Sequence, residues 1–208
     1  MGNRAVITTR ENFDNNGVGV YLHWNGGRDS VTAFLKYCEL RGFRAPDRDN
    51  YGWARLVQVI GNFFGGGLSV AIDTVDKLDC DNWDNGVYII EGWEIAGREY
   101  HDGDEQDCYD LDEMLKAIDE AQPEKEQLGG YLTAEEVPVS ELQVGDTVYI
   151  RDWNDDIYTT KVIGFGEDKT VNGTNVKGIP FVNRYGEGIT GCANNINNYI
   201  RTETVRRA

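Results

Sequence analysis

Histidine and methionine are nearly absent from this sequence, with two of each in 208 residues. His23 and His101 have no second histidine or cysteine at metal-ligand spacing, which argues against a structural zinc site. The four cysteines, Cys38, Cys80, Cys108 and Cys192, lie far apart and form no C-x-x-C pair. With no export signal in view they are expected to be thiols. No run approaches the roughly 18 apolar residues that cross a bilayer. The opening Met1-Gly2-Asn3-Arg4 lacks the apolar core of a secretory signal, and Val6 stands where a myristoylation signal carries Ser or Thr. A soluble, cytoplasmic chain is expected. Gly65-Gly66-Gly67 is not followed by the Lys-Ser/Thr of a phosphate loop, and no G-x-G-x-x-G follows a strand, so no cofactor is expected.

Basic residues are also in short supply, 20 against 36 acids, for a net charge of −16. The imbalance is local. Residues 71–136 hold 21 acids and 4 bases, a charge of −17, whereas residues 1–70 carry +2 and residues 137–208 carry −1. A field this uneven steers basic surfaces over a Debye length of about 8 Å. It also repels anionic membranes and free nucleic acid, so neither is an expected partner. At 40% hydrophobic and 11% aromatic the chain still has enough apolar material for packed cores.

The pattern along the chain predicts an α+β fold: a mixed or antiparallel sheet with about three helices, followed by a small β-barrel. Ala5–Thr9 and Val18–Trp24 read as antiparallel strands around an Asn-rich turn. Val31, Phe34, Leu35 and Cys38 fall at i, i+3, i+4, i+7, which predicts a helix capped by Asp29 and ended by Gly42. A second helix is expected from Asn50 to Gly65, and a strand over Leu68–Val75. Asn85-Gly86 is a hairpin signal. Strands at Val87–Ile90 and Trp93–Tyr100 should flank Gly92. Asp110, with Glu113 three residues on, forms a capping box for a third helix that buries Leu111, Met114, Leu115 and Ile118. The linker composition of residues 123–130 divides the chain into an acidic domain, 1–127, and a small β domain, 128–208. In the latter, strands at Tyr158–Phe165, Ile179–Asn183, Gly188–Cys192 and Tyr199–Thr204 follow the one opened by Gly145-Asp146.

Two resemblances add to this. Met1-Gly2-Asn3-Arg4-Ala5-Val6-Ile7 followed by Tyr21-Leu22-His23-Trp24-Asn25-Gly26 resembles uncharacterised proteins of phages and other mobile elements. An acidic protein of that origin is similar in kind to antirestriction and anti-CRISPR inhibitors, which implies a host nuclease as partner. Val139-Ser140-Glu141-Leu142-Gln143-Val144-Gly145-Asp146-Thr147-Val148 resembles the entry to an SH3-like barrel, a fold with no single function attached.

The candidate site is a partner-binding surface. Duplex DNA carries one charge per about 1.7 Å of axis, so clustered carboxylates can meet several Lys and Arg of a nucleic-acid groove together. The expected contacts are Asp79, Asp81, Asp84, Asp102, Asp104, Glu105, Asp107, Asp110, Asp112 and Glu113, with Trp83 as an aromatic anchor. A second Asp-rich loop adds Trp153, Asp155 and Asp156. The bland alternative is an acidic face that only solubilises. Calcium fits poorly, because Asp107 occupies the sixth position of the Asp102–Glu113 count, where an EF-hand needs glycine. His23 and Trp24 at a strand end could line an enzyme cleft, but no acid is recognisable as a catalytic partner for His23, and a half-buried pair pinning a turn is the simpler expectation. A phage structural or assembly role is the remaining alternative. No catalytic residue and no metal ligand is assigned.

Overall fold

A computed structural model describes residues 2–67, 69–151, 157–166, 169–171, 174–176, 179–183, 197–199 and 204–208. The chain divides into two compact units, Met1–Gln127 and Leu128–Ala208, and both belong to an α+β architecture.

The first unit runs β1 (Ala5–Thr9), α1 (Arg10–Asp14), β2 (Val18–Leu22), α2 (Arg28–Leu40), α3 (Asn50–Phe63), β3 (Val70–Thr74), β4 (Val87–Glu91), β5 (Glu94–Glu99) and α4 (Leu111–Ala121). Its sheet has the order β3-β2-β1-β4-β5. β1 is antiparallel to β2 but parallel to β4, with Ile7 opposite Tyr88. As the central strand, β1 is buried along its whole length, which is why it reads as a continuous apolar and β-branched run rather than an alternating one. Val6, Val87 and Ile89 lie on one face under Phe13, Leu78 and Cys80. Ile7, Val20, Leu22, Tyr88 and Ile90 alternate to the other face and are fully or almost fully buried. Each such side chain contributes about 1.5–3 kcal/mol of hydrophobic stabilisation.

The apolar stripes of α2, α3 and α4 are buried as their spacing predicts, through Phe34, Leu56, Ile60, Met114 and Ile118 among others. Two polar ties cross between these helices. Tyr37 donates to Asp119 at 2.7 Å, and Gln122 bonds the Val59 carbonyl at 3.3 Å and Asn62 at 2.9 Å.

Several local expectations need correction. Asn85-Gly86 makes no hairpin, because β4 pairs with β1 across the sheet rather than folding back on β3. The turn before β2 contains the short α1, whose N-cap is Thr9. α2 begins at Arg28, one residue before Asp29, so Asp29 sits in the first turn and spends its carboxylate elsewhere. Leu111 is 42% exposed because, at the first helical position, it lies at the end of the stripe that buries Leu115 and Ile118.

The second unit contains α5 (Gly130–Thr133), β6 (Glu135–Pro138), β7 (Thr147–Arg151), β8 (Ile157–Gly166), β9 (Lys169–Val171), β10 (Thr174–Val176), β11 (Ile179–Asn183), β12 (Asn197–Tyr199) and β13 (Thr204–Arg207). β9 and β10 form a two-stranded hairpin, and the others run in the order β12-β11-β8-β7-β13-β6. Val137, Leu142, Val148 and Val162 form its core. Among the described residues no pairing joins β12 to β6, and no closed barrel of the expected kind is formed by them. The expected strand at Gly188–Cys192 lies outside the described residues. Among the described residues no helix is long and apolar enough to cross a membrane.

Candidate functional site

Eight of the acids of the first unit's acidic segment sit on two loops that its own polar residues lock together. The first, residues 79–86, is built around Asn82, which is fully buried. Its Oδ1 accepts from the Asp84 and Gly86 N–H groups at 3.1 and 3.0 Å, and its Nδ2 donates to the Asp79 and Gly86 carbonyls at 3.0 and 3.1 Å. Every polar group of the side chain is satisfied, which is what its burial requires. Asn85, also fully buried, joins this loop to the start of β1 by donating to Asn3 and to the Arg4 carbonyl.

The second loop, residues 100–110, is tied to the first through Asn85 and Arg98. The Gln106 N–H donates to Asn85 Oδ1 at 3.1 Å. Arg98, with its side chain 10% exposed, donates to the Asn85 carbonyl at 2.8 Å, the Gly103 carbonyl at 3.1 Å and the Asp84 carbonyl at 3.4 Å. Its Nε also lies 3.7 Å from Glu105. The other side of this loop rests on the start of α2. The Asp29 carboxylate accepts from the Cys108 and Tyr109 N–H groups at 2.5 and 2.6 Å, and Arg28 bonds Glu105 at 2.5 Å.

This framework sorts the candidate acids into two groups. Asp84 is spent internally: its side chain is 8% exposed and takes both the Arg4 Nε, at 2.6 Å, and the Arg4 N–H. Glu105 is held between Arg28 and Arg98. Asp110 caps α4, accepting from the Asp112 and Glu113 N–H groups. Asp107 accepts from the Asp29 N–H at 3.2 Å yet stays exposed. Arginines from the first 70 residues also cover Glu99 and Glu126, so part of the local excess is neutralised within the fold. The second group points outward. Asp81, Asp102, Asp104, Asp112 and Glu113 are exposed and, among the described residues, have no ion pair within 4.0 Å. Asp79 has only a long contact, 3.8 Å, to Arg4. Trp153, Asp155 and Asp156 lie outside the described residues.

Glu105 makes the arrangement sensitive to acid. Burial pushes its pKa up, but the hydrogen bond from Arg28 and the charges of Arg28 and Arg98 outweigh this and hold it below the ordinary glutamate value. A carboxylate with a lowered folded-state pKa stabilises the fold above its unfolded pKa, about 4.3, and that contribution disappears as pH falls through the folded value. Protection of the amides in residues 101–110, measured against the intrinsic exchange rate at each pH, is therefore expected to fall below about pH 4.3. Glu105→Gln should exchange faster at neutral pH and lose most of that acid dependence. Equal pH profiles for the two proteins would contradict the role assigned to Glu105.

Trp83 is the feature of the site that sequence patterning could not reveal in full. It is 79% exposed and sits in the left-handed backbone region, φ 59°. For a bulky L-residue that conformation costs about 1–2 kcal/mol, and no packing of the ring recovers it. Such outliers persist where the surroundings over-determine them, and they cluster at functional sites. Here Asn82 supplies the over-determination. Tyr100, at the start of the second loop, is similar, with φ 52° and 57% exposure. Asparagine tolerates this backbone region, so Trp83→Asn should raise stability by about 0.5 kcal/mol, read as a higher denaturation midpoint. A loss of stability would show that the ring packs after all.

The other sequence candidates do not converge on chemistry. The ring of His23 meets Trp24 edge-on at 4.9 Å, and Tyr21 lies 3.1 Å from its Nδ1. Both His23 and Trp24 are exposed rather than half-buried, and no carboxylate among the described residues bonds His23. Cys38, Cys80 and Cys108 are free thiols. No group of three or more potential metal ligands occurs among the described residues.

No protein-family model, no curated protein and no solved structure matches this chain.

Proposed function

We propose that this protein is a binding inhibitor whose first unit captures a basic, nucleic-acid-handling protein by occupying the groove meant for nucleic acid. The observation that carries the reading is the pairing of outward carboxylates, Asp81, Asp102 and Asp104 on two mutually bonded loops and Asp112 and Glu113 in the first turn of α4, with a strained, exposed Trp83. Solubility alone gives no reason to hold a tryptophan at an unfavourable φ, nor to brace an acidic loop with Asn85, Arg98 and Asp29. Preorganised carboxylates lose little freedom on binding, which favours affinity, and a central aromatic gives register.

The partner is a host defence protein of the restriction or CRISPR effector type, and the setting is the cytoplasm of a cell carrying a mobile element. The resemblance of the opening residues supports that origin. The second unit is an SH3-like module that presents the inhibitor or docks it. Two features support this. The last strand, β13, pairs with both β6 and β7 from the start of the unit, and the ten-residue β8 is shared between the β7 and β11 pairings, a pattern compatible with a small barrel.

Immobilised protein should capture a basic nucleic-acid-binding protein from bacterial lysate. Added duplex DNA and rising salt should each release it, because both compete for the same charges. Capture that resists both would overturn the proposal.

A further inference from the structure

Beside the two loops lies a cleft of about 540 Å³ whose floor is apolar and whose rim is acidic. Phe13 and Tyr100 form one wall, their ring centroids 5.9 Å apart, and Val75 and Leu78 contribute the floor. Asp14, Asp76, Asp79 and Asp81 stand around the rim. The cations nearby are already engaged elsewhere. Arg4 is bound to Asp84 at 2.6 Å, Arg10 to Glu99 at 2.9 Å and Lys77 to Asp73 at 3.1 Å. Asp14 and Asp79 receive only contacts of 3.8 Å, while Asp76 and Asp81 have no cation within 4.0 Å among the described residues.

Asp76 is fixed in place. Its carboxylate accepts from the Thr74 hydroxyl at 2.6 Å, and its N–H donates to Asn16 at 2.8 Å. The Thr74 hydroxyl and then Asn16 hold its pKa below the ordinary value.

A concave site that joins aromatic faces to unpaired carboxylates suits one chemistry: a planar, weakly hydrated cation. Arginine fits better than lysine, since guanidinium stacks on aromatic rings while its edge donates to carboxylates. The Phe13 ring already carries such a contact, with the Arg10 guanidinium 5.5 Å from its centre, which leaves Tyr100 as the open aromatic face, and Arg28 over Tyr88 and Arg44 over Tyr51 repeat it elsewhere in the first unit. The cleft is also continuous with the proposed interface, because Asp79 and Asp81 belong to the loop that carries Trp83.

We propose that this cleft receives an arginine-bearing peptide segment of the basic partner, with guanidinium groups against Tyr100 and between Asp76 and Asp81. The inference rests on the inhibitor reading and names the contact that gives it specificity. A field of surface carboxylates attracts any basic protein, whereas a shaped cleft selects arginine in an accessible chain.

The test uses the full-length protein and the capped peptide acetyl-Ala-Arg-Arg-Ala-amide, followed by amide chemical shifts. Saturable shifts are expected at Phe13, Leu78 and Tyr100. The peptide with citrulline in place of arginine, the same shape without the charge, should bind at least about tenfold more weakly. Asp81→Asn and Asp76→Asn, which retain an acceptor oxygen, should each weaken the arginine peptide severalfold, while Glu94→Gln, exposed at the end of β5 remote from Tyr100, should leave it unchanged. Shifts spread over the whole acidic surface, or equal binding of the citrulline peptide, would overturn the cleft assignment. If the cleft fails this test while charge-reversed loops still lose the partner, the inhibitor reading stands without it. If the peptide binds as expected but charge reversal leaves partner capture intact, the inhibitor reading falls.

Discussion

Reversing Asp102, Asp104, Asp112 and Glu113 to lysine together is expected to weaken capture of the basic partner by at least about 100-fold, because like charges brought together cost several kcal/mol. These four are chosen because they are exposed and, among the described residues, form no ion pair with the rest of the fold. Asp84, Glu105 and Asp110 are left alone since Arg4, Arg28 and the first turn of α4 depend on them. The substitutions still carry a structural cost. Asp112 and Glu113 lie in the first turn of α4, where acids suit the helix dipole, so reversing both should lose about 1 kcal/mol of stability. Circular dichroism checks that the reversed protein is folded. A folded variant that binds at full strength would place the interface elsewhere.

Arg98→Met should have the largest effect on the fold of any single change at this site. Methionine keeps much of the stem volume but removes donors to the carbonyls of Asp84, Asn85 and Gly103 and leaves Glu105 with Arg28 alone. Part-buried Asp84 and Asn85 carbonyls left without this donor, beside a half-compensated carboxylate, cost about 3 kcal/mol in total. For a unit of 127 residues that is a fall in Tm of roughly 10 °C. Arg98→Lys should recover only part of it, because one ammonium cannot reach carbonyls on two loops and Glu105 in the fork geometry of a guanidinium. Hydrogen exchange should show the damage concentrated in residues 79–86 and 100–110. A uniform loss across α2, α3 and α4 would mean that Arg98 supports the core rather than the loops.

The sheet and the three long helices were legible because their signals are local. β-branched runs marked β1 and β2, helical spacing marked α2 and α3, and Asp110 with Glu113 marked the start of α4. What stayed hidden depends on contacts distant in sequence. Asn85-Gly86 looks like a hairpin in isolation, and only the parallel pairing of β4 with β1 shows that Asn85 is instead a buried tie between loops. Nothing in the spacing of Arg4, Arg28 and Arg98 announces that they serve Asp84 and Glu105, since the partners of Arg4 and Arg28 lie 80 and 77 residues away.

The acidic surface was therefore legible as composition but not as a site. Counting carboxylates locates the segment, yet the fold decides which of them are spent and which are presented. Asp29 illustrates the same limit. It has the residue type and position of an N-cap, but its carboxylate is more useful holding the Cys108 and Tyr109 N–H groups, and Gly27 takes the cap position.

The most direct measurement is the salt dependence of partner affinity for the native protein and for the variant with Asp102, Asp104, Asp112 and Glu113 reversed. If preorganised carboxylates stand in for phosphates, the native protein's log Kd rises steeply with log salt, and the reversed protein binds weakly with little slope. Parallel lines of equal slope for the two proteins would contradict the account, since the outward carboxylates would then contribute nothing to recognition.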